Sequence, residues 1–156
     1  MTMARRHESL IPLSHQHQHA LALAVIIRRR FGIEKGEPAW REEMVNRIHE
    51  AYRVELDGHF EVEETVLFPE MERHLGPLAL VAELFRDHAS LHGLVRLLEA
   101  SATFSLLDGF SALLEAHIRK EERQLFAEFE KRMPADEART LGKQIKTRLA
   151  EICPKP

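Results

Sequence analysis

Apolar side chains recur along this chain at three- and four-residue intervals, which lines one face of an α-helix, and no segment alternates at period two. Ser14, just after Pro12, reads as an N-cap for a first helix reaching about Arg30, with Leu13, Ala20, Ala24 and Ile27 on its apolar side. Gly32, Gly36 and Pro38 interrupt the pattern, and Pro38 suits the opening turn of a second helix. There Val45, Ile48, Tyr52 and Leu56 form a face that continues through His59 and Glu63 to Val66, with a kink expected at Pro69 before Gly76-Pro77. A third helix, from about Leu78 to Ala100, carries Val81, Leu84 or Phe85, His88, Leu91 or His92, Val95 and Leu98 inward. After a connection at Thr103 to Asp108, a fourth carries Phe110, Leu113 or Leu114, His117, Glu121 and Leu125. Pro134 then resets the chain for a last helix with Ala138, Leu141, Ile145, Leu149 and Ile152 on one side.

Four such helices on short loops pack best as an all-α, antiparallel up-down-up-down four-helix bundle, with the additional C-terminal helix capping it or offering a homodimer surface. The expected organisation is a single domain over residues 1–156, the bundle at about 14–132 and the last helix at about 134–152. A formal charge of -3 lacks the basic excess that a phosphate backbone requires, which argues against nucleic acid. The apolar run Ala20 to Ile27 is too short to span a membrane, and the opening residues lack the apolar core of a signal peptide. Cys153 stands alone, so neither an intramolecular disulfide nor a cysteine metal cluster can form, and a cytoplasmic setting is expected.

Ten histidines are many for 156 residues, and they change the picture. Residues 59–72, HFEVEETVLFPEME, are echoed at 117–130 as HIRKEERQLFAEFE, each copy placing His and Glu four residues apart and so on one helix face. The inward polar residues are His17, His59, Glu63, His88, His92, His117 and Glu121. Buried carboxylates need a neutralising charge, and these faces supply no Lys or Arg. A pair of divalent cations would supply it. His88 and His92 can chelate one ion from a single helix, and Glu63 and Glu121 are long enough to bridge two. Imidazole with carboxylate and no thiolate suits iron, manganese or zinc. Two choices stay open: His15 or His19 for His17, which wins by its register with the apolar face, and Glu122 for Glu121, since a five-residue step lies about 140° from His117. Glu64 reads as solvated surface, as do His7, His49 and His74. Tyr52 reads as core, or as lining an access path. Gly58 costs its helix about 1 kcal/mol relative to Ala, either tolerated or making room for a helix or small ligand.

The order His, H-x-x-x-E, H-x-x-x-H, H-x-x-x-E, with HF-x-x-EE-x-x-LFP around its second member, resembles the hemerythrin-like HHE cation-binding domains from about Ser14 to Phe129. The resemblance implies two Fe ions with an oxo or hydroxo bridge, bridging carboxylates from Glu63 and Glu121, and an unequal split. His88, His92 and His117 would hold one iron, His17 and His59 the other, whose vacancy would take dioxygen or a similar small ligand such as nitric oxide or an azide-like anion. In hemerythrins proper the fourth-helix acid is an Asp one residue further on, where this chain has Glu122. The expected function is therefore ligand binding for carriage, sensing or iron and stress handling, more than an enzyme. The alternatives are a ferroxidase or oxygenase, an iron-centre repair protein, and a helical interaction module with histidine in its core. Ferritin-like sites use E-x-x-H helices, and no histidine here has Glu three residues before it.

Overall fold

A computed structural model describes residues 5–34 and 37–153. After a 3₁₀ turn at Glu8–Leu10, the first rod of the bundle is α1, Ile11–Glu34. It starts earlier than Ser14. His7 caps the 3₁₀ turn by accepting from the Ser9 amide, and Pro12 sits where a missing N–H costs nothing, so Ser14 lies inside the helix. Helix runs through Gly32 to Glu34, and Gly36 lies outside the described residues.

The second rod is continuous from Pro38 to Leu75 but changes its winding twice. It comprises α2 (Pro38–Ala51), a π-helical turn (Tyr52–Leu56), α3 (Asp57–Val62), a second π turn (Glu63–Leu67) and α4 (Phe68–Leu75). The third rod is α5 (Ala79–Ala100). The fourth is α6 (Phe104–Lys120), a π turn (Glu121–Leu125) and α7 (Phe126–Arg132); α8 (Ala135–Ile152) follows. The Thr103 side chain accepts from the Leu106 amide, so most of the connection expected at Thr103 to Asp108 is already helix.

Where a kink was expected at Pro69, the rod instead widens just before it, the Phe68 amide bonding to the Glu63 carbonyl. Proline alone is not the cause. The fourth rod widens at the matching place, Phe126 to Glu121, with Ala127 in place of proline. Both turns open on a fully buried glutamate, and each is followed by a Leu-Phe pair buried on both members, Leu67-Phe68 and Leu125-Phe126. One extra residue in the turn brings two consecutive large side chains inward, and such turns recur at functional sites.

The rods close a ring, α1 against α2 and α6, and α5 against α2 and α6. Inside are two apolar clusters, one around Ile27, Met44, Ile48 and Phe110, the other around Leu13, Phe68, Met71, Phe126 and Phe129. On every rod the inward histidines and glutamates fall where one cluster gives way to the other, forming a polar layer across the bundle. The last helix packs along the second rod and the 3₁₀ turn. Gly58 faces it: a β-carbon there would lie 2.8 Å from Cys153 Sγ, so the residue permits a close approach of α8. Among the described residues no helix is long and apolar enough to cross a membrane.

Candidate metal centre

Six of the seven candidate residues meet in the polar layer: His17 from α1, His59 from α3, Glu63 from the π turn after it, His88 from α5, His117 from α6 and Glu121 from the π turn that follows. Their donor atoms fall into two sets, His17, His59, Glu63, Glu121 and Glu63, His88, His117, Glu121, each within 4.8 Å, so both glutamates belong to both sets. All six side chains are at most 4% exposed.

His92 is not among them. The inward line of α5 passes through Leu84, His88, Leu91 and Val95, all buried, and the residue one step round from Leu91 turns to the outer side. There the exposed His92 pairs through Nδ1 with the Tyr52 hydroxyl at the lip of a groove of about 460 Å³ that reaches His88. Burial, with Asp57 nearby, pushes the Tyr52 hydroxyl up to about 12, so it stays protonated and able to donate. The split of three imidazoles against two is thereby replaced by an even one.

Each imidazole is oriented by one outward hydrogen bond. His17 Nδ1 donates to Glu122 at 3.0 Å, His59 to Gln16 Oε1 at 2.8 Å, His88 to Glu64 at 3.0 Å and His117 to Asp87 at 3.0 Å. Glu64 is therefore tied to the centre and is not the solvated residue its place in the sequence suggested. Glu122 lies beside the cluster rather than in it, held also by Ser14 Oγ at 2.8 Å and Arg6 at 3.5 Å. Asp87 is braced by Lys120 at 2.9 Å. His15 and His19 are exposed, His19 bonding Glu55, and His7, His49 and His74 are half-buried away from the layer.

With the protons on Nδ1, all four Nε2 lone pairs point inward at carboxylate oxygens. His117 Nε2 is 2.7 Å from Glu121, His17 3.2 Å from Glu121, His88 3.2 Å from Glu63 and His59 3.4 Å from Glu63. These contacts are short without being aligned as hydrogen bonds, and the four Nε2 atoms and four glutamate oxygens are buried polar atoms without such a partner. Lone pair against lone pair is repulsive unless a positive charge lies between. The charge can be protons: burial pulls His17 toward its neutral form, but Glu121 and Glu122 outweigh it and hold the imidazole at about 10. Burial likewise opposes His88, which Glu121, Glu63 and Glu64 raise to about 11, while burial of Glu121 is overcome by His117 and its neighbours, which keep that carboxyl well below its ordinary range. Cations fit better, since the Nε2–oxygen contacts are not aligned for a shared proton, whereas a metal ion accepts the nitrogen and oxygen lone pairs together without needing that alignment.

A bundle with a buried histidine and carboxylate layer able to hold metal cations defines a class of cation-binding helical proteins. The model of the hemerythrin HHE cation-binding domain matches residues 11–129, so the chain belongs to that family. No curated protein and no solved structure gave a match.

Proposed function

We propose that this is a cytoplasmic di-iron protein that binds dioxygen or a similar small ligand, serving carriage, sensing or the handling of iron under stress. The carrying observation is the set of eight buried, inward-facing nitrogen and oxygen atoms that find no hydrogen-bond partner. His17 and His59 would hold one ion, His88 and His117 the other, with Glu63 and Glu121 shared. Iron there supplies reversible electron transfer to a bound diatomic ligand. Each ion would be held by two imidazoles and two carboxylate oxygens, a set that would leave room for solvent or a small ligand on both sides.

The chain's own residues do the rest. Phe60 lies flat against His88, ring centroids 4.1 Å apart, and Phe68 shields the same ring. Together with Phe126 stacked on His17 they keep bulk water from the layer, which suppresses loss of a bound ligand as its protonated form. The groove beside His88 is the route by which a small molecule reaches the layer. None of these histidines has the glutamate three residues before it that ferritin-like oxidative sites use, which favours binding over an enzymatic role. The test is reconstitution with ferrous iron in the absence of air: two irons per chain and a visible absorption that appears with dioxygen and fades on its removal are expected. Two bound irons with no oxygen-dependent absorption would overturn ligand binding.

A further inference from the structure

The two halves of the centre carry different surroundings. Behind His88 and His117 stand two carboxylates, Glu64 and Asp87. Behind His17 and His59 stand one carboxylate, Glu122, and one neutral amide, Gln16. Nearby cations do not level this. Each half has one, and each is shared: Arg6, 3.5 Å from Glu122, is also claimed by Glu130 at 2.7 Å, and Lys120, 2.9 Å from Asp87, by Glu83 at 2.7 Å. A carboxylate accepting from Nδ1 draws that proton outward and makes Nε2 a stronger donor than an amide oxygen does, besides adding its own negative charge. The groove points the same way. Asp57, Glu61, Glu64 and His92 line it, and it ends on His88 rather than on His17 or His59.

Resting on the two-cation reading above, we propose that the centre fills in order, the first cation settling between His88 and His117 and the second between His17 and His59. Asp87 and Gln16 are the positioning residues that set the order, and the acidic groove delivers cations to the half that binds first. Once the first cation is seated, its charge bears on Glu63 and Glu121, which both halves share, and this weakens the second step further.

The experiment is a zinc titration of the full chain, followed by ¹⁵N-imidazole NMR with signals assigned through single His→Gln variants. With the first equivalent, the Nε2 signals of His88 and His117 move; those of His17 and His59 move with the second, at an affinity at least about tenfold weaker, the size outer hydrogen-bond partners exert. Gln16→Glu tightens the second step about tenfold and narrows the gap, a gain that merely structural damage would not produce. Asp87→Asn weakens the first step by a similar factor. Two zinc ions that move all four signals together, or His17 and His59 first, would overturn the order while leaving the two-cation reading intact. An unchanged second step in Gln16→Glu would remove the cause proposed for it. Fewer than two zinc ions per chain would sink both.

Discussion

The two halves of the centre are built to one plan. An acceptor followed by histidine, Gln16-His17 or Asp87-His88, lies on one rod; the next rod carries H-x-x-x-E-E, as His59 to Glu64 or His117 to Glu122. In each copy the residue before the histidine braces the histidine of the following rod, Gln16 to His59 and Asp87 to His117. The second glutamate of each pair reaches across to the other half, Glu64 to His88 and Glu122 to His17. Such cross-bracing couples the halves, so neither can be set in geometry alone. Among the differences, those beside the bracing are amide for carboxylate at 16 and 87, Val62 where the other copy has Lys120, and Gly58 where the other copy has Ala116. Equivalent ligands can therefore hold cations unequally, because inequality comes from what stands behind the imidazoles.

The shared glutamates carry the largest effect, because removing one acts on both halves at once. Glu63→Gln or Glu121→Gln is expected to lower metal content to one ion per chain or fewer and to abolish the rise in melting temperature on metal addition. In metal-free protein Glu121→Gln should cost far less, since it removes a buried charge along with its partners' attraction. Elemental analysis with melting curves separates the two.

Proton occupancy should act in both halves, because His17 and His88 are held at about 10 and about 11. Both lie above the unfolded value of 6.5, so in metal-free protein the stability they add is complete below about pH 6.5 and is lost as pH rises through about 10 and 11. Metal needs the same nitrogens unprotonated, so its stabilisation grows over that window. The difference in melting temperature between loaded and metal-free protein should therefore widen from pH 6.5 upward; a constant difference would contradict it.

His92 tests where the centre ends. His88→Ala should lose a cation, whereas His92→Ala should keep two, with affinities within about threefold of the unaltered chain, as measured by competition with a chromogenic chelator. The sequence alone could not separate these residues. Its third-helix stripe admitted Leu91 or His92, and only the packing of Leu84, Leu91 and Val95 against the other rods sets the rotation that turns His92 outward. By contrast the rod sequence and most of the polar layer were legible, since apolar spacing fixes a face and the inward polar residues follow from it. Glu64 was misread because a face argument assigns each residue to its own helix, while its partner, His88, is on another. The repeated Glu-Glu pair and the acceptor before each histidine were the available signals. The π turns left a fainter trace in the repeated Leu-Phe, because winding is a matter of backbone hydrogen bonds and not of composition.

The smallest expected effect concerns the glycine that one half has and the other lacks. Alanine at 58 restores helix propensity worth about 1 kcal/mol. It also puts a β-carbon 2.8 Å from Cys153 Sγ and 3.4 Å from Ile152 Cγ1, so the end of α8 must shift. That shift reaches the centre, because the Gln16 amide lies 3.6 Å from the same sulfur while its oxygen holds His59. Gly58→Ala should thus leave overall stability within about 0.5 kcal/mol of the starting protein, gain and crowding nearly cancelling. Paired with Cys153→Ala, which removes the sulfur, the gain of about 1 kcal/mol should emerge, a non-additivity that denaturant melts can resolve. Equal effects of Gly58→Ala in the two backgrounds would show that the thiol does not crowd the position, and that the two copies differ there without consequence for packing.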